Sequence, residues 1–219
     1  EMVSLDLVHT LDISEGQGIE VQTNYLDQPW EFPKETLVPE GDNNLVANAL
    51  SLIGRKAAVR INKKIPPGTG LGGGSSNAAA VLRWDKYEDL KCAAQIGADV
   101  PFCINGGRAL VSGIGENVER MSYKKQDFTL LIPPFSCSTK AVYEHWDHLG
   151  GPKGDHGNDL EPAATSLYPE LNKWRDLLGD TTGKQPRLAG SGSTWYVEGA
   201  FPKKGLHVVS SIPRHKFGD

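Results

Sequence analysis

Cysteine is scarce in this sequence. Cys92, Cys103 and Cys137 are the only three in 219 residues, an odd number set far apart. They suit buried thiols in a reducing compartment better than a disulfide framework. No cysteine–histidine group has zinc spacing. His145 and His148 lie three apart on an expected helix and are read as exposed histidines rather than metal ligands. No apolar run approaches the length that crosses a membrane. An excess of one charge is also missing: 23 Lys and Arg against 27 Asp and Glu leave a net charge of −4. Electrostatics therefore give no reason to expect a nucleic-acid partner. No internal repeat or low-complexity tract appears. What remains is ordinary globular composition, 38% hydrophobic and 23% charged, enough for one large or two small domains.

Leu5, Leu7, Leu11 and Ile13 alternate as in a half-buried strand, so strands are expected over 3–13 and 19–25, with a turn at 14–18. A chain seldom opens in mid-strand, and the expectation is that further residues precede Glu1. Residues 26–43, with Pro29, Pro33 and Pro39, read as a loop. Helices are expected over 44–53, 75–84, 87–96, 139–149 and 169–178. Gly97 should close the third of them in a left-handed turn, and Val142, Trp146 and Leu149 should form the buried stripe of the fourth. Further strands are expected at 57–62, 108–114, 128–133, 193–197 and 206–211. Helices and strands mix without strict alternation, which argues an α+β fold, with a boundary between its halves near 122–127.

The stretch from Ile65 to Ala80 is the most informative. Gly68, Gly70, Gly72, Gly73 and Gly74 lead through Ser75 and Ser76 into an alanine-rich run. Successive N–H groups in such a loop form an anion-binding nest, and a helix N-terminus adds donors and a positive dipole end. Ser75, Ser76 or Asn77 is expected to cap that helix. Two familiar patterns fit badly. Gly68-x-Gly70-x-x-Gly73 matches the dinucleotide fingerprint, but Pro66 and Pro67 separate it from the preceding strand. The ATP P-loop requires Gly-Lys-Ser/Thr, and this loop ends Gly74-Ser75-Ser76. A flexible linker would not run straight into an apolar helix. The loop therefore reads as a phosphate cradle, which a side chain at Gly72, Gly73 or Gly74 should obstruct.

Asp99 stands in an otherwise uncharged stretch, Ile96 to Phe102. A buried carboxylate there is either a tuned general base or a cap for the turn at Val100-Pro101. Gly190-Ser191-Gly192-Ser193-Thr194 is a second glycine loop ahead of a strand, or a plain turn. Tyr143 sits at the edge of its helix stripe, where its ring can be an exposed stacking face or a core-edge residue.

The stretch 65–80 resembles the central ATP-binding motif of the GHMP kinases. Asn44-Leu45-Val46, Gly97 to Phe102, Gly113-Ile114-Gly115-Glu116 and Gly190 to Thr194 extend the match. Together they resemble the branch whose substrate is a cytidylated methylerythritol. The resemblance implies a ribosomal-protein-S5-like ATP-binding domain at 1–124 and a ferredoxin-like domain at 125–219. It implies ATP and Mg2+ as cofactors, a small-molecule substrate, and a monomer or homodimer in bacterial cytoplasm, or in a plastid for a eukaryotic source. Pro66, Gly68, Gly70, Leu71, Gly72, Gly73, Gly74, Ser75 and Ser76 would hold the nucleotide phosphates. Lys63, Asn44 and Leu45 would line the adenosine pocket, although Lys63 can equally be a solvated strand end, and Asn44 a helix cap. Asp99 would act on the substrate hydroxyl. Tyr143 would stack on cytosine, and Gly190, Ser191, Gly192, Ser193 and Thr194 would lie near the substrate diphosphate. Asn158 to Glu161 also matches the family and reads mainly as a helix cap. The family's first motif, which carries a lysine, has no counterpart here and belongs ahead of Glu1. A GHMP kinase for another alcohol, of homoserine or mevalonate type, and a non-catalytic nucleotide-binding homologue are the alternatives.

Overall fold

A computed structural model describes residues 1–26, 30, 32 and 44–214. Its elements, in chain order, are β1 (Met2–Val3), β2 (Thr10–Ser14), β3 (Gly18–Thr23), α1 (Leu45–Leu52), β4 (Ala58–Lys63), α2 (Gly73–Trp84), α3 (Leu90–Ile96), α4 (Val100–Asn105), β5 (Arg108–Ser112), β6 (Asn117–Arg120), β7 (Asp127–Leu131), α5 (Thr139–His148), α6 (Glu161–Leu167), α7 (Leu171–Thr182), β8 (Arg187–Leu188), β9 (Trp195–Glu198) and β10 (His207–Ser210). The architecture is α+β.

Three small sheets organise the described residues, in the orders β1-β5-β6, β2-β4-β3 and β10-β7-β9-β8. β4 inserts between β2 and β3, antiparallel to the first and parallel to the second. The turn at 14–18 therefore joins strands that are not neighbours. β4 alternates Val59, Ile61 and Lys63 inward, and the two aliphatic residues pack beneath α1 and α2. Ala78, Ala79, Val81 and Leu82 of α2 are fully buried there. Small alanines let α2 lie close to its neighbours α1 and α4. A second core lies under α5, α6 and α7, around Leu131, Leu171, Leu178 and Trp195. A third, around Phe128, Leu130 and Val209, takes in Leu5, Leu7 and Leu71 and so joins the two halves. β7 is buried on both faces because it serves both of the latter cores.

Several expectations are corrected. The strand expected over 3–13 is broken: β1 pairs with β5, β2 with β4, and between them Leu5 makes only an isolated bridge to Ser211. The alternation of leucines there serves two different sheets. α2 starts at Gly73 rather than Ser75, with Gly72 as a left-handed N-cap that offers no side chain. Ser76 Oγ instead donates to Gly73 O at 3.0 Å, so none of the three expected residues caps this helix. α3 begins only at Leu90, where Asp89 accepts from the N–H groups of Lys91 and Cys92. Gly97 closes it in extended backbone, φ 179°, not in a left-handed turn. Leu149 is 46% exposed and drops off the stripe of α5. Cys92 is exposed, while Cys137 is buried. α4, α6, β6 and β8 are too short to leave a periodic signal. The loop reading of 26–43 falls largely outside the described residues. Within it, Trp30 reaches across to the second core, donating to Ile132 O at 2.9 Å and meeting the Trp174 ring at 4.7 Å.

Candidate active site

β4 delivers the chain into the glycine loop. Lys63 is its last residue, and Pro66 and Pro67 end the sheet because they bring no N–H to it. The loop turns over Gly68, Gly70 and Gly72, all at positive φ, and enters α2. The first N–H groups of α2 have no helical partner and point outward with the positive end of the dipole.

The other half of the molecule grips this loop by its carbonyls. Ser136 Oγ donates to Pro67 O at 2.7 Å, Cys137 N–H to Gly68 O at 2.8 Å, and Thr194 N–H to Thr69 O at 3.1 Å. Thr69 Oγ1 folds back onto Pro66 O. Carbonyls engaged on one side leave the N–H groups for the other, which is the polarity an anion requires. Gly70 lies directly on the second glycine loop: a methyl group placed there would come within 2.0 Å of Ala189 O. The two glycine loops, 120 residues apart in sequence (190 − 70), thus form one feature.

Gly72 and Gly73 look at opposite charges. A methyl group on Gly72 would meet Asp99 Oδ2 at 3.8 Å, and one on Gly73 would meet Lys63 Nζ at 3.6 Å. Asp99 precedes α4, but its side chain makes no capping bond. No hydrogen bond or ion pair holds this carboxylate among the described residues, and burial raises its pKa above the usual carboxylate range. The cap reading is excluded by this geometry. Behind it, the β5–β6 turn closes so tightly that a methyl group on Gly115 would strike Ala98 O at 1.9 Å. Lys63 is 2% exposed, so it is no solvated strand end. No carboxylate among the described residues pairs with it, and burial lowers its pKa to about 8. A buried ammonium beside a helix N-terminus has no favourable partner until an anion arrives. Ser75 has no side-chain partner among the described residues, and its Oγ lies 3.5 Å from a methyl group built on Gly97.

Asn44 caps α1, accepting from Val46 N–H at 2.9 Å. Leu45 packs its Cδ1 3.4 Å from a methyl group built on Gly74, over the start of α2. Pro66 is buried under the loop, and Leu71 contributes to the core that joins the halves. Tyr143 is 51% exposed, and the Asp99 charge adds to burial in raising its pKa. Of the second loop, Gly190 is exposed, whereas Ser191, Gly192, Ser193 and Thr194 are buried. Ser191 Oγ meets Thr139 Oγ1 at 2.9 Å, and Ser193 Oγ donates to Phe135 O at 2.6 Å. Thr194 Oγ1 has no partner among the described residues. These side chains hold the loop's shape more than they face outward.

Asn158 does more than the expected capping, and His9 escapes sequence reasoning altogether. Asn158 Oδ1 accepts from Leu160 N–H at 3.1 Å, at the entry to α6. Its Nδ2 donates to Leu188 O at 2.9 Å and Gly190 O at 2.8 Å, tying down the second glycine loop, and Glu161 accepts from Leu188 N–H. His9 sits against Gly73, where a methyl group would come within 2.9 Å of its Cε1. In the sequence His9 is one polar residue in an alternating stretch, with Asp6, Thr10 and Asp12 as its polar neighbours.

Residues 44–107 match the model of the GHMP kinases N terminal domain. The chain is 30% identical over 231 aligned positions to 4-diphosphocytidyl-2-C-methyl-D-erythritol kinase of Thermoanaerobacter pseudethanolicus, covering 89% of this chain and 76% of that protein. It is 33% identical to the kinase of the same name from Sulfurihydrogenibium sp., covering 88% and 81%. Among solved structures, a 4-(cytidine 5'-diphospho)-2C-methyl-D-erythritol kinase matches with TM-score 0.66 and 25% identity, over 94% of this chain and 87% of that one. A homoserine kinase from Cytophaga hutchinsonii shares the fold, with TM-score 0.56 and 16% identity, over 97% and 88%. The fold, the glycine loop poised between an ammonium and a carboxylate, and these relatives agree: the chain belongs to the 4-diphosphocytidyl-2-C-methyl-D-erythritol kinase family of the GHMP kinases.

Proposed function

We propose that this chain transfers the γ-phosphoryl group of ATP to the 2-hydroxyl of 4-diphosphocytidyl-2-C-methyl-D-erythritol. The carrying observation is the glycine loop that faces Asp99 at Gly72 and Lys63 at the next residue, Gly73. Phosphoryl transfer is mainly positioning and charge neutralisation. The loop N–H groups and the start of α2 hold the phosphates, and Lys63 adds a buried ammonium beside them. Leu45, packed over the start of α2 at Gly74, and Asn44, which caps α1 beside it, are assigned to the adenosine side. Asp99 accepts the hydroxyl proton as the new oxygen–phosphorus bond forms and the bond to the departing ADP breaks. A raised pKa brings the carboxyl nearer to the operating pH, which suits a base.

Magnesium, when bound with the nucleotide, neutralises phosphate charge. Among the described residues no three His, Cys, Asp or Glu side chains converge as a metal site. The Ser75 hydroxyl, at the start of α2 and without a side-chain partner among the described residues, would be available as a protein ligand to that ion. In this reading residues 1–124 bind the nucleotide and 125–219 complete the alcohol site. The exposed ring of Tyr143 offers cytosine a stacking face, typically worth ~1–3 kcal/mol per base. Gly190 marks where the substrate diphosphate approaches. The partner is a small molecule, and the bacterial relatives favour a cytoplasmic setting.

A coupled ADP-release assay tests this reading, with the cytidylated methylerythritol, homoserine and mevalonate compared as acceptors. Turnover with the cytidylated compound and background rates with the other two are expected. Faster turnover of either other alcohol, or none of the cytidylated one, would contradict it.

A further inference from the structure

The imidazole of His9 makes two hydrogen bonds that span the glycine loop. Its Nε2 accepts from Ile65 N–H at 3.2 Å, where the chain leaves β4. Its Nδ1 lies 2.7 Å from Asn77 Oδ1, on the first turns of α2. Nε2 must be unprotonated to accept, so Nδ1 carries the proton and donates it to Asn77. One neutral tautomer satisfies both ends. Burial and the nearby Lys63 charge enforce that state, lowering the His9 pKa to about 4. The ring edge then rests on Gly73, beside Lys63 Nζ. Asn77 is 4% exposed, so its Oδ1 depends on a protein donor.

We propose that His9 is a positioning residue for nucleotide binding, a clasp that fixes the distance between the entry and exit of the Ile65–Asn77 loop. It touches neither the phosphates nor the reacting oxygen. It acts through the loop, holding the N–H groups in their bound arrangement before the ligand arrives, which removes an ordering cost from binding. The proposal rests on the reading of Gly68–Ser76 as the ATP loop. His9 belongs to none of the three apolar cores and lines a cavity of about 310 Å3. Its replacement therefore disturbs the loop more than the fold.

The test compares His9→Gln, His9→Leu and His9→Ala with wild type. Gln offers one donor and one acceptor and can remake both bonds; Leu keeps the bulk and makes neither. ATP binding is measured by calorimetry, turnover by ADP release, and Ile65 amide protection by hydrogen exchange without nucleotide. For Leu and Ala, Kd and KM for ATP should rise about tenfold with kcat within about twofold. Ile65 should also exchange faster in both. Gln should stay within about threefold of wild type. ATP affinity in His9→Leu equal to wild type, or His9→Gln as weak as His9→Leu, would overturn the clasp. Should Leu fail to fold, Gln against Ala decides the same question. Absence of ATP binding by the wild type would instead overturn the function proposed above, with Ile65 protection still reporting on the clasp itself.

Discussion

At the scale of single residues, Lys63 and Asp99 share one condition: each is an ionisable group taken out of water without a partner among the described residues. For Lys63 this has a measurable consequence. Its pKa of about 8 lies well below the ordinary lysine value of 10.5. A phosphate beside the ammonium would restore the charged form and raise that pKa. Between the two values the bound state then holds more protons than the free state, so ATP binding near pH 8 should take up protons. Calorimetry at pH 8 in buffers of different ionisation enthalpy measures this directly. Proton uptake should shrink at pH 6.5, where Lys63 is already protonated, and vanish in Lys63→Met. Buffer-independent heats at pH 8 would remove Lys63 from the phosphate site. Asp99 was legible in the sequence from the uncharged turn around it, whereas Lys63 entered through the family resemblance alone, as an adenosine-pocket residue, and its place beside Gly73 was not foreseen. His9 was not legible at all. Its partners lie 56 and 68 residues away, and no local pattern announces a side chain that acts across the fold.

At the scale of elements, the two glycine loops work because neither carries a side chain where they meet. Gly70 combines positive φ, +75°, with a backbone neighbour that cannot swing aside. Gly70→Ala should therefore force the loops apart and cost more than about 2 kcal/mol. Gly18→Ala is the control: its φ is also positive, +113°, but none of the described residues lies within 4 Å of the added methyl. That change should cost about 1 kcal/mol. Melting temperatures of the two variants compare the effects, and equal shifts would show that the loops do not rely on this contact. The loops themselves were readable from glycine spacing, as were α1, α2, α5 and β4, where an apolar period runs long enough to register. The short helices α4 and α6 were not, because six or seven residues fill barely two turns. The stretch 3–13 misled for a different reason. A period of two identifies strand-like residues but not which sheet each one joins, and here the chain changes sheets after Val3.

At the scale of the whole molecule, the glycine loop belongs to one half by chain and to the other by hydrogen bonds. The second half supplies three donors to the carbonyls of Pro67, Gly68 and Thr69, and Asn158 steadies the loop that provides one of them. Such a division could not be read from sequence, where the donors lie 69 to 125 residues beyond the carbonyls they bind (Ser136 to Pro67, Thr194 to Thr69). The chemistry asks the fold to tolerate Asp99 at this junction. A carboxyl whose pKa is raised by burial binds its proton more tightly folded than unfolded. Stability should therefore fall as pH rises from the ordinary carboxylate value through the raised one, and the loss persists at neutral pH. Function and stability then pull in opposite directions at one residue. Asp99→Asn keeps the shape and removes the charge, so one variant reads both. At neutral pH it should melt higher than wild type, bind ATP as before, and release ADP at least about a hundredfold more slowly. Near-normal ADP release by a folded Asp99→Asn variant would contradict the account.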